Sequence, residues 1–429
     1  MRIHIKTYGC STNQADSETI AGILTQAGHT ITKSPAAAQI IIYNTCAVKQ
    51  PTENRIITAI KRTPKNKKTI ITGCLPLINL ERLQKETRYN AATGPSPAQQ
   101  ITAIVNRVSK GENFLALEDT QTNKPPLNLP CTQTNPTISI IPINYGCQGN
   151  CAYCCVTHAR GKLRSYTPTE ITQRIKHDLT RSTKEIWLTS QDTASYGKDI
   201  NTNLPTLLNT IITTVKGNYK IRIGMMTPNT ATPFLNELIE AYKNPRIYKF
   251  LHLPLQSGDN TVLKYMQRQY TTQNYKTTIN KFRKAIPQIT IATDIICGFP
   301  GETPTAHQNT LKIIKQTKPD ITNISKFHPR PNTPATKMHN KFINPTEIKQ
   351  RSTAIAQLAK QISLEKNQNW INWTGEALVD EKGKIPHSWI SRNFAYKPIV
   401  IKTATNMLGK TINLQITKAF PTYLMATIC

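Results

Sequence analysis

Short apolar runs, each followed by a stretch of helical periodicity, recur along most of the 429-residue chain. The first runs from Ile3 to Tyr8, and Asp16 and Ser17 are cap candidates for the helix after it. Ile20 and Leu24 share one face of that helix and Gly28 is its stop. The second run, Ile40-Ile41-Ile42-Tyr43, leads to Pro51 near a helix start, with Ile56, Ile57 and Ile60 beyond it. The third is Thr69-Ile70-Ile71-Thr72. Strand–helix–strand alternation predicts an α/β fold, with a parallel sheet in a domain of residues 1–120.

The polar, proline-rich stretch from Asp119 to Pro136 reads as a linker. Beyond it, apolar runs at 137–143, 186–190, 219–225, 249–255, 289–297 and 321–327 predict six parallel βα units. Such an array curves into a partial barrel, here residues 137–345, with its chemistry at the C-terminal strand ends. Residues 345–368 predict a basic helix packed on it through Ile348, Ile355, Leu358 and Ile362. From Trp373 the pattern shortens to strands at Ala377-Leu378-Val379, Ile399-Val400-Ile401 and Thr411 to Ile416. Residues 369–429 are therefore expected to form a small all-β module, a C-terminal β-barrel, with seven Lys/Arg against three Asp/Glu.

Charge narrows the partners. The chain has 54 Lys plus Arg against 24 Asp plus Glu, a formal +30. A basic surface of this size suits a polyanion, because cations displace the counterions condensed on phosphates. Nucleic acid is the expected partner, ahead of a merely solvated surface. Membrane binding ranks lower, since no apolar run approaches the ~18 residues of a span and no basic amphipathic anchor stands out. No apolar leader precedes the first strand, so the expected location is the cytoplasm. In that reducing compartment, clustered cysteines among the ten present read first as metal or redox ligands.

Cys147-x3-Cys151-x2-Cys154 follows the run at 137–143. Three thiolates on one loop can hold three irons of a [4Fe–4S] cube and leave the fourth open to chelate S-adenosylmethionine. A zinc site is the competing reading; it needs a fourth ligand, for which His158 or Cys155 is available. With a partial barrel following, the motif points to radical S-adenosylmethionine (radical SAM) chemistry. Cys10, Cys46 and Cys74 form a second, dispersed set, each just beyond an apolar run. If those runs are neighbouring parallel strands, the three thiols emerge at one sheet edge, where α/β folds place ligands. Gly9 and Gly73 would let the backbone turn closely there. Taken singly, each is an ordinary core thiol; the repeated position favours a second cluster. Cys297 reads as core, and Cys131 and Cys429 carry no assignment.

Together these residues resemble the methylthiotransferase family. The resemblance runs through Tyr8-Gly9-Cys10 with Asn13 and Asp16, Asn44-Thr45-Cys46, Thr72-Gly73-Cys74, and Gly146-Cys147 to Arg160-Gly161. It continues through Leu253 to Gly258, Thr293 to Glu302 and Pro329-Arg330-Pro331, and ends in a segment similar to the RNA-binding TRAM barrel. Val48-Lys49-Gln50-Pro51, His158-Ala159-Arg160-Gly161 and Ile186 to Asp192 resemble the archaeal and eukaryotic branch acting on N6-threonylcarbamoyladenosine at tRNA position 37. The resemblance implies tRNA as partner, two [4Fe–4S] clusters and S-adenosylmethionine as cofactors, and an external electron donor and sulfur source. One S-adenosylmethionine would methylate a sulfur at the Cys10, Cys46 and Cys74 cluster. A second, cleaved at the Cys147, Cys151 and Cys154 cluster, would yield the radical that takes hydrogen from C2 of the adenine. Ser190, Gln191 and Asp192 fall where relatives contact the methionine amino group, and Arg222 is the candidate for its carboxylate. Two alternatives stay open: methylthiolation of isopentenyladenosine or a ribosomal protein, and a non-catalytic RNA-binding protein with a structural metal.

Overall fold

Parallel pairing organises the first third of the chain. The computed structural model describes residues 1–117 and 124–429. The start of the expected linker, 119–123, and the expected domain boundary at 120 lie outside the described residues. Strand Arg2–Thr7 pairs with Ile40–Thr45, which pairs with Lys68–Gly73, all parallel and in register to their C-terminal ends. The two central strands, Ile40–Thr45 and Lys68–Gly73, are buried on both faces between helix layers, as parallel strands generally are, while Arg2–Thr7 is buried chiefly at Ile3. Three short strands, Thr30–Ile31, Ala91–Thr93 and Phe114–Ala116, complete a six-stranded sheet. They escape sequence reading because two or three residues carry no periodicity.

The first helix departs from expectation. It spans Ser11–Gln26 with Cys10 at the N-cap, so Asp16 and Ser17 lie inside it and cap nothing. Both are buried and turned inward, Asp16 to Arg160 and Ser17 to Asn44. A buried partner competes for such side chains as strongly as a helix terminus does. Gly28, at φ +82, follows the helix end as expected.

The six expected βα strands are Ile138–Pro142, Glu185–Thr189, Lys220–Ile223, Phe250–His252, Thr290–Cys297 and Ile321–Lys326. They form two parallel three-stranded sheets, joined edge to edge by a parallel bridge between Ile221 and Ile247. Helices cover the outside through the largest hydrophobic cluster of the molecule. Helix Pro345–Gln368 packs on the last strand, with Ile348, Ile355 and Ile362 buried and Leu358 partly so.

Five strands, Thr374–Lys382, Ser388–Arg392, Pro398–Lys402, Thr411–Ala419 and Leu424–Ile428, close into a small barrel. It docks at the N-terminal ends of the parallel strands, away from the cysteines. Lys249 N donates to Phe394 O at 2.8 Å, and the Tyr396 ring packs 4.7 Å from Tyr248 and 5.2 Å from Phe250. Lys397 Nζ reaches Asp320 Oδ1 at 2.7 Å. Asp380, paired with Arg392 at 3.1 Å, has its carboxyl pushed up to about 7 by burial, against the pull of Arg392.

A carboxyl that holds its proton more tightly folded than unfolded favours folding at low pH, and this contribution is lost as pH rises from about 4 towards its folded pKa. Asp380→Asn should therefore flatten the pH dependence of stability across that window, read as urea midpoints at a series of pH values. Parallel pH profiles for both proteins would contradict the buried position of this carboxyl.

Candidate active site at the barrel mouth

Cys46 and Cys74 stand one residue beyond Thr45 and Gly73, the last residues of adjacent strands, and Cys10 follows the first strand after a tight turn. Gly9 makes that turn at φ +108, and a Cβ there would lie 2.7 Å from Cys46 Cβ. Only glycine allows the Cys10 loop to close on Cys46. Asn13 then clamps the loops: its Nδ2 donates to Tyr8 O and Thr45 O, both at 2.9 Å. Its Oδ1 lies 3.7 Å from Cys10 Sγ. Cys74 N donates to Thr45 O at 2.9 Å, tying the third loop to the second. The expected sheet-edge gathering of Cys10, Cys46 and Cys74 is present.

The second triad lies on a loop pinched by a two-stranded hairpin, Asn144–Tyr145 with Arg164–Ser165. Gly146 sits at φ +72, where a Cβ would come within 1.9 Å of Lys162 O, so the loop returns on itself only with glycine there. Cys147 and Cys151 are drawn together around Gly149: a Cβ on Gly149 would be 3.2 Å from one sulfur and 3.6 Å from the other. Cys154 is held where Cys151 O accepts its backbone N–H at 3.0 Å. Cys155 turns away from this group. It is 3% exposed and its thiol donates to Ala47 O, beside Cys46, at 3.6 Å. The two cysteine loops therefore touch.

Burial raises two thiols in each group. Cys46 is pushed up to about 11, Cys74 to about 12 and Cys147 to about 11, and Cys154 is raised as well. Such thiols stay protonated at neutral pH unless a metal displaces the protons. Each group also has a buried guanidinium beside it. Arg160 faces Cys74 and Cys10, while Arg268, between the rings of Tyr153 and Tyr270, faces Cys151 and Cys154. Arg160 Nη2 donates to Asn13 Oδ1 at 2.8 Å and Asp16 Oδ2 at 2.7 Å. Asp16 Oδ1 accepts from the Tyr145 hydroxyl.

Ser11 Oγ, next to Cys10, hydrogen-bonds Thr189 Oγ1, just before Ser190-Gln191-Asp192, so that turn borders the same mouth. Asp192 is committed to its own backbone surroundings: its carboxylate accepts from Ala194 N, Thr227 N and Thr230 Oγ1. Ser190 Oγ accepts from Asp192 N at 3.1 Å. Gln191 Oε1 is buried and has no hydrogen-bond partner among the described residues. Arg222 lies deeper inside the barrel, its guanidinium 4.7 Å from the Trp187 ring and 5.4 Å from that of Tyr396.

Sequence reading missed a polar group on the inner wall. His252 Nε2 lies 3.0 Å from Asp294 Oδ2, and Asn323 Nδ2 donates to Asp294 Oδ1 at 2.9 Å. Burial opposes ionisation of Asp294, but the His252 ring, the Asn323 amide and the Lys49 charge outweigh it and lower its pKa. These residues come from three strands and a distant loop, so no local motif announces them.

The family model described as "Uncharacterized protein family UPF0004" matches residues 2–94, and that of the "Radical SAM superfamily" matches residues 141–314. The probable threonylcarbamoyladenosine tRNA methylthiotransferase of Pyrococcus horikoshii is 38% identical over 100% of this chain and 99% of its own length. The threonylcarbamoyladenosine tRNA methylthiotransferase of Homo sapiens is 35% identical over 97% of this chain and 72% of its own length. The fold is similar to that of the radical S-adenosylmethionine methyltransferase TsrM from Kitasatospora setae, with a TM-score of 0.56 at 12% identity over 78% of this chain and 74% of that one. With such similarity to the curated relatives over nearly its whole length, the chain belongs to the threonylcarbamoyladenosine tRNA methylthiotransferase family of radical SAM enzymes.

Proposed function

We propose that this enzyme attaches a methylthio group to C2 of N6-threonylcarbamoyladenosine at tRNA position 37, using two [4Fe–4S] clusters and S-adenosylmethionine. The observation that carries the reading is the meeting of two cysteine triads in one barrel mouth, with Cys155 and Ala47 in contact between their loops. Cys147, Cys151 and Cys154 would hold the cluster that faces S-adenosylmethionine, and Cys10, Cys46 and Cys74 the auxiliary one. The donor sets fit. All six ligands are thiols, which iron–sulfur clusters take. Bound there, the cofactors supply a radical able to take the non-acidic C2 hydrogen and a sulfur to replace it.

The chain's own residues do the rest. Gln191 has the unpartnered oxygen suited to the methionine amino group, while Ser190 and Asp192 shape its turn; Arg222 is held among Trp187, Phe250 and Tyr396 toward the end that the C-terminal barrel closes, which leaves the carboxylate without an assigned partner. We assign residues 1–120, 137–345 and 369–429 to the auxiliary-cluster, radical SAM and TRAM-like domains. The last would bind RNA. Of its seven cations, Arg392 and Lys397 are used in inward pairs, leaving Lys382, Lys384, Lys402, Lys410 and Lys418 exposed for phosphates. Among the described residues no helix is long and apolar enough to cross a membrane, and a cytoplasmic site of action suits a tRNA substrate. An electron donor and a sulfur source must come from outside.

Nucleoside mass spectrometry of tRNA from a deletion strain should show 2-methylthio-N6-threonylcarbamoyladenosine lost and its unthiolated parent accumulated. Unchanged methylthio nucleoside would refute the assignment, and loss of the isopentenyl derivative alone would redirect it. Asn13→Ala should unclamp the Cys10 and Cys46 loops, removing roughly half of the bound iron in anaerobically reconstituted protein, with the radical SAM cluster retained. Full iron loading in that variant would contradict the clamp. Reversing Lys402 and Lys410 to Glu should weaken tRNA binding and shallow its salt dependence by about one unit of slope for each phosphate no longer neutralised. An unchanged slope would move RNA binding elsewhere.

A further inference from the structure

We infer that Arg160 is a positioning residue for the auxiliary cluster, donating a hydrogen bond from Nη1 to its sulfur at Cys74 and raising its reduction potential. The inference rests on the reading of Cys10, Cys46 and Cys74 as cluster ligands. Arg160 is 2% exposed and comes from the short helix Val156–Arg160, which begins immediately after Cys154 and Cys155. Its Nη2 is fully used by Asn13 and Asp16. Its Nη1 is also buried and has no acceptor among the described residues. A buried N–H left unpaired costs about 1–3 kcal/mol, so native structures leave few without a purpose.

The groups facing Arg160 identify that purpose. The Cys74 thiol lies within hydrogen-bonding reach of the guanidinium, and Cys10 is close enough to bear on it. Asn13, which shares Arg160 Nη2, keeps its Oδ1 3.7 Å from Cys10 Sγ, so arginine, asparagine and two thiols form one interacting group. The planar fork of a guanidinium can hold a carboxylate with one nitrogen and present a second N–H to another acceptor. Sulfur ligands of an iron–sulfur cluster are such acceptors, and hydrogen bonds and positive charge near them make the cluster easier to reduce. Arg160 acts on the auxiliary site from the chain segment that leaves the radical SAM site, which couples the two physically.

A purely structural Arg160 would only staple the loop to Asp16. Two measurements separate the cases. In full-length protein carrying Cys147→Ala, Cys151→Ala and Cys154→Ala, only the auxiliary cluster remains, and its potential can be followed by electron paramagnetic resonance during a redox titration. Adding Arg160→Gln should shift the potential to a more negative value and change the g-values; Arg160→Lys, which restores charge without the fork, should recover part of the shift. An intact cluster at an unshifted potential overturns the inference. The second measurement needs no Arg160 variant. Hyperfine spectroscopy of the same auxiliary-only protein, grown with guanidino-15N arginine, should show nitrogen coupled to the cluster, and absence of coupling overturns the inference even where the variants fail to load iron. No auxiliary cluster in the protein that retains Arg160 would overturn both this inference and the two-cluster reading, whereas an unshifted potential overturns this inference alone.

Discussion

Two buried ion pairs hold the N-terminal sheet against the open barrel, and the shared mouth depends on them. Arg160 pairs with Asp16 at 2.7 Å, with both side chains almost wholly buried. Arg330, from the loop after the last barrel strand, pairs with Glu53, which also takes Arg82 and Asn79 at 2.8 Å. Burying such charges is costly, and removing one partner typically destabilises by about 3–5 kcal/mol because the other is left uncompensated. Pairs of this kind therefore specify geometry more than they add stability. Here they fix which loop of the sheet meets which loop of the barrel.

Strand direction supplies the other half of the arrangement. All strands of the N-terminal sheet run parallel, as do those of the open barrel, so the loops at their C-terminal ends each emerge on one side. The six candidate ligands are gathered by that polarity. The C-terminal barrel closes the opposite end, where the Tyr396 ring, itself under Arg392, packs on Arg222, Tyr248 and Phe250. An RNA that reached both the mouth and the exposed lysines of that barrel would have to run along the outside of the molecule.

Much of this was legible in the chain itself. The apolar runs locate three strands of the first sheet and all six strands of the open barrel, most plainly Ile40–Thr45, Lys68–Gly73 and Ile138–Pro142, because parallel strands buried on both faces need nearly continuous apolar sequence. The cysteines are legible by their position after those runs. What the sequence concealed is side-chain commitment. Asp16 looks like a cap until Arg160 claims it, and Asp192 looks like a ligand until three donors from its own surroundings occupy it. Cys155 looks like a fourth thiol for its neighbours until it is found against Ala47. The His252–Asp294–Asn323 group exists only where separate strands align. Strands Ser388–Arg392 and Leu424–Ile428 also escape sequence reading, since five residues each are too few to carry a clear alternation.

The proposed chemistry requires that one chain carry two separate three-cysteine clusters. Mössbauer spectroscopy of 57Fe-reconstituted protein tests it most directly, comparing the native sequence with two variants in which either triad is replaced by alanine. The native chain should hold about eight irons in [4Fe–4S] form and each variant about four, with S-adenosylmethionine perturbing the spectrum only where Cys147, Cys151 and Cys154 remain. Four irons in the native chain, all lost with the second triad, would contradict it.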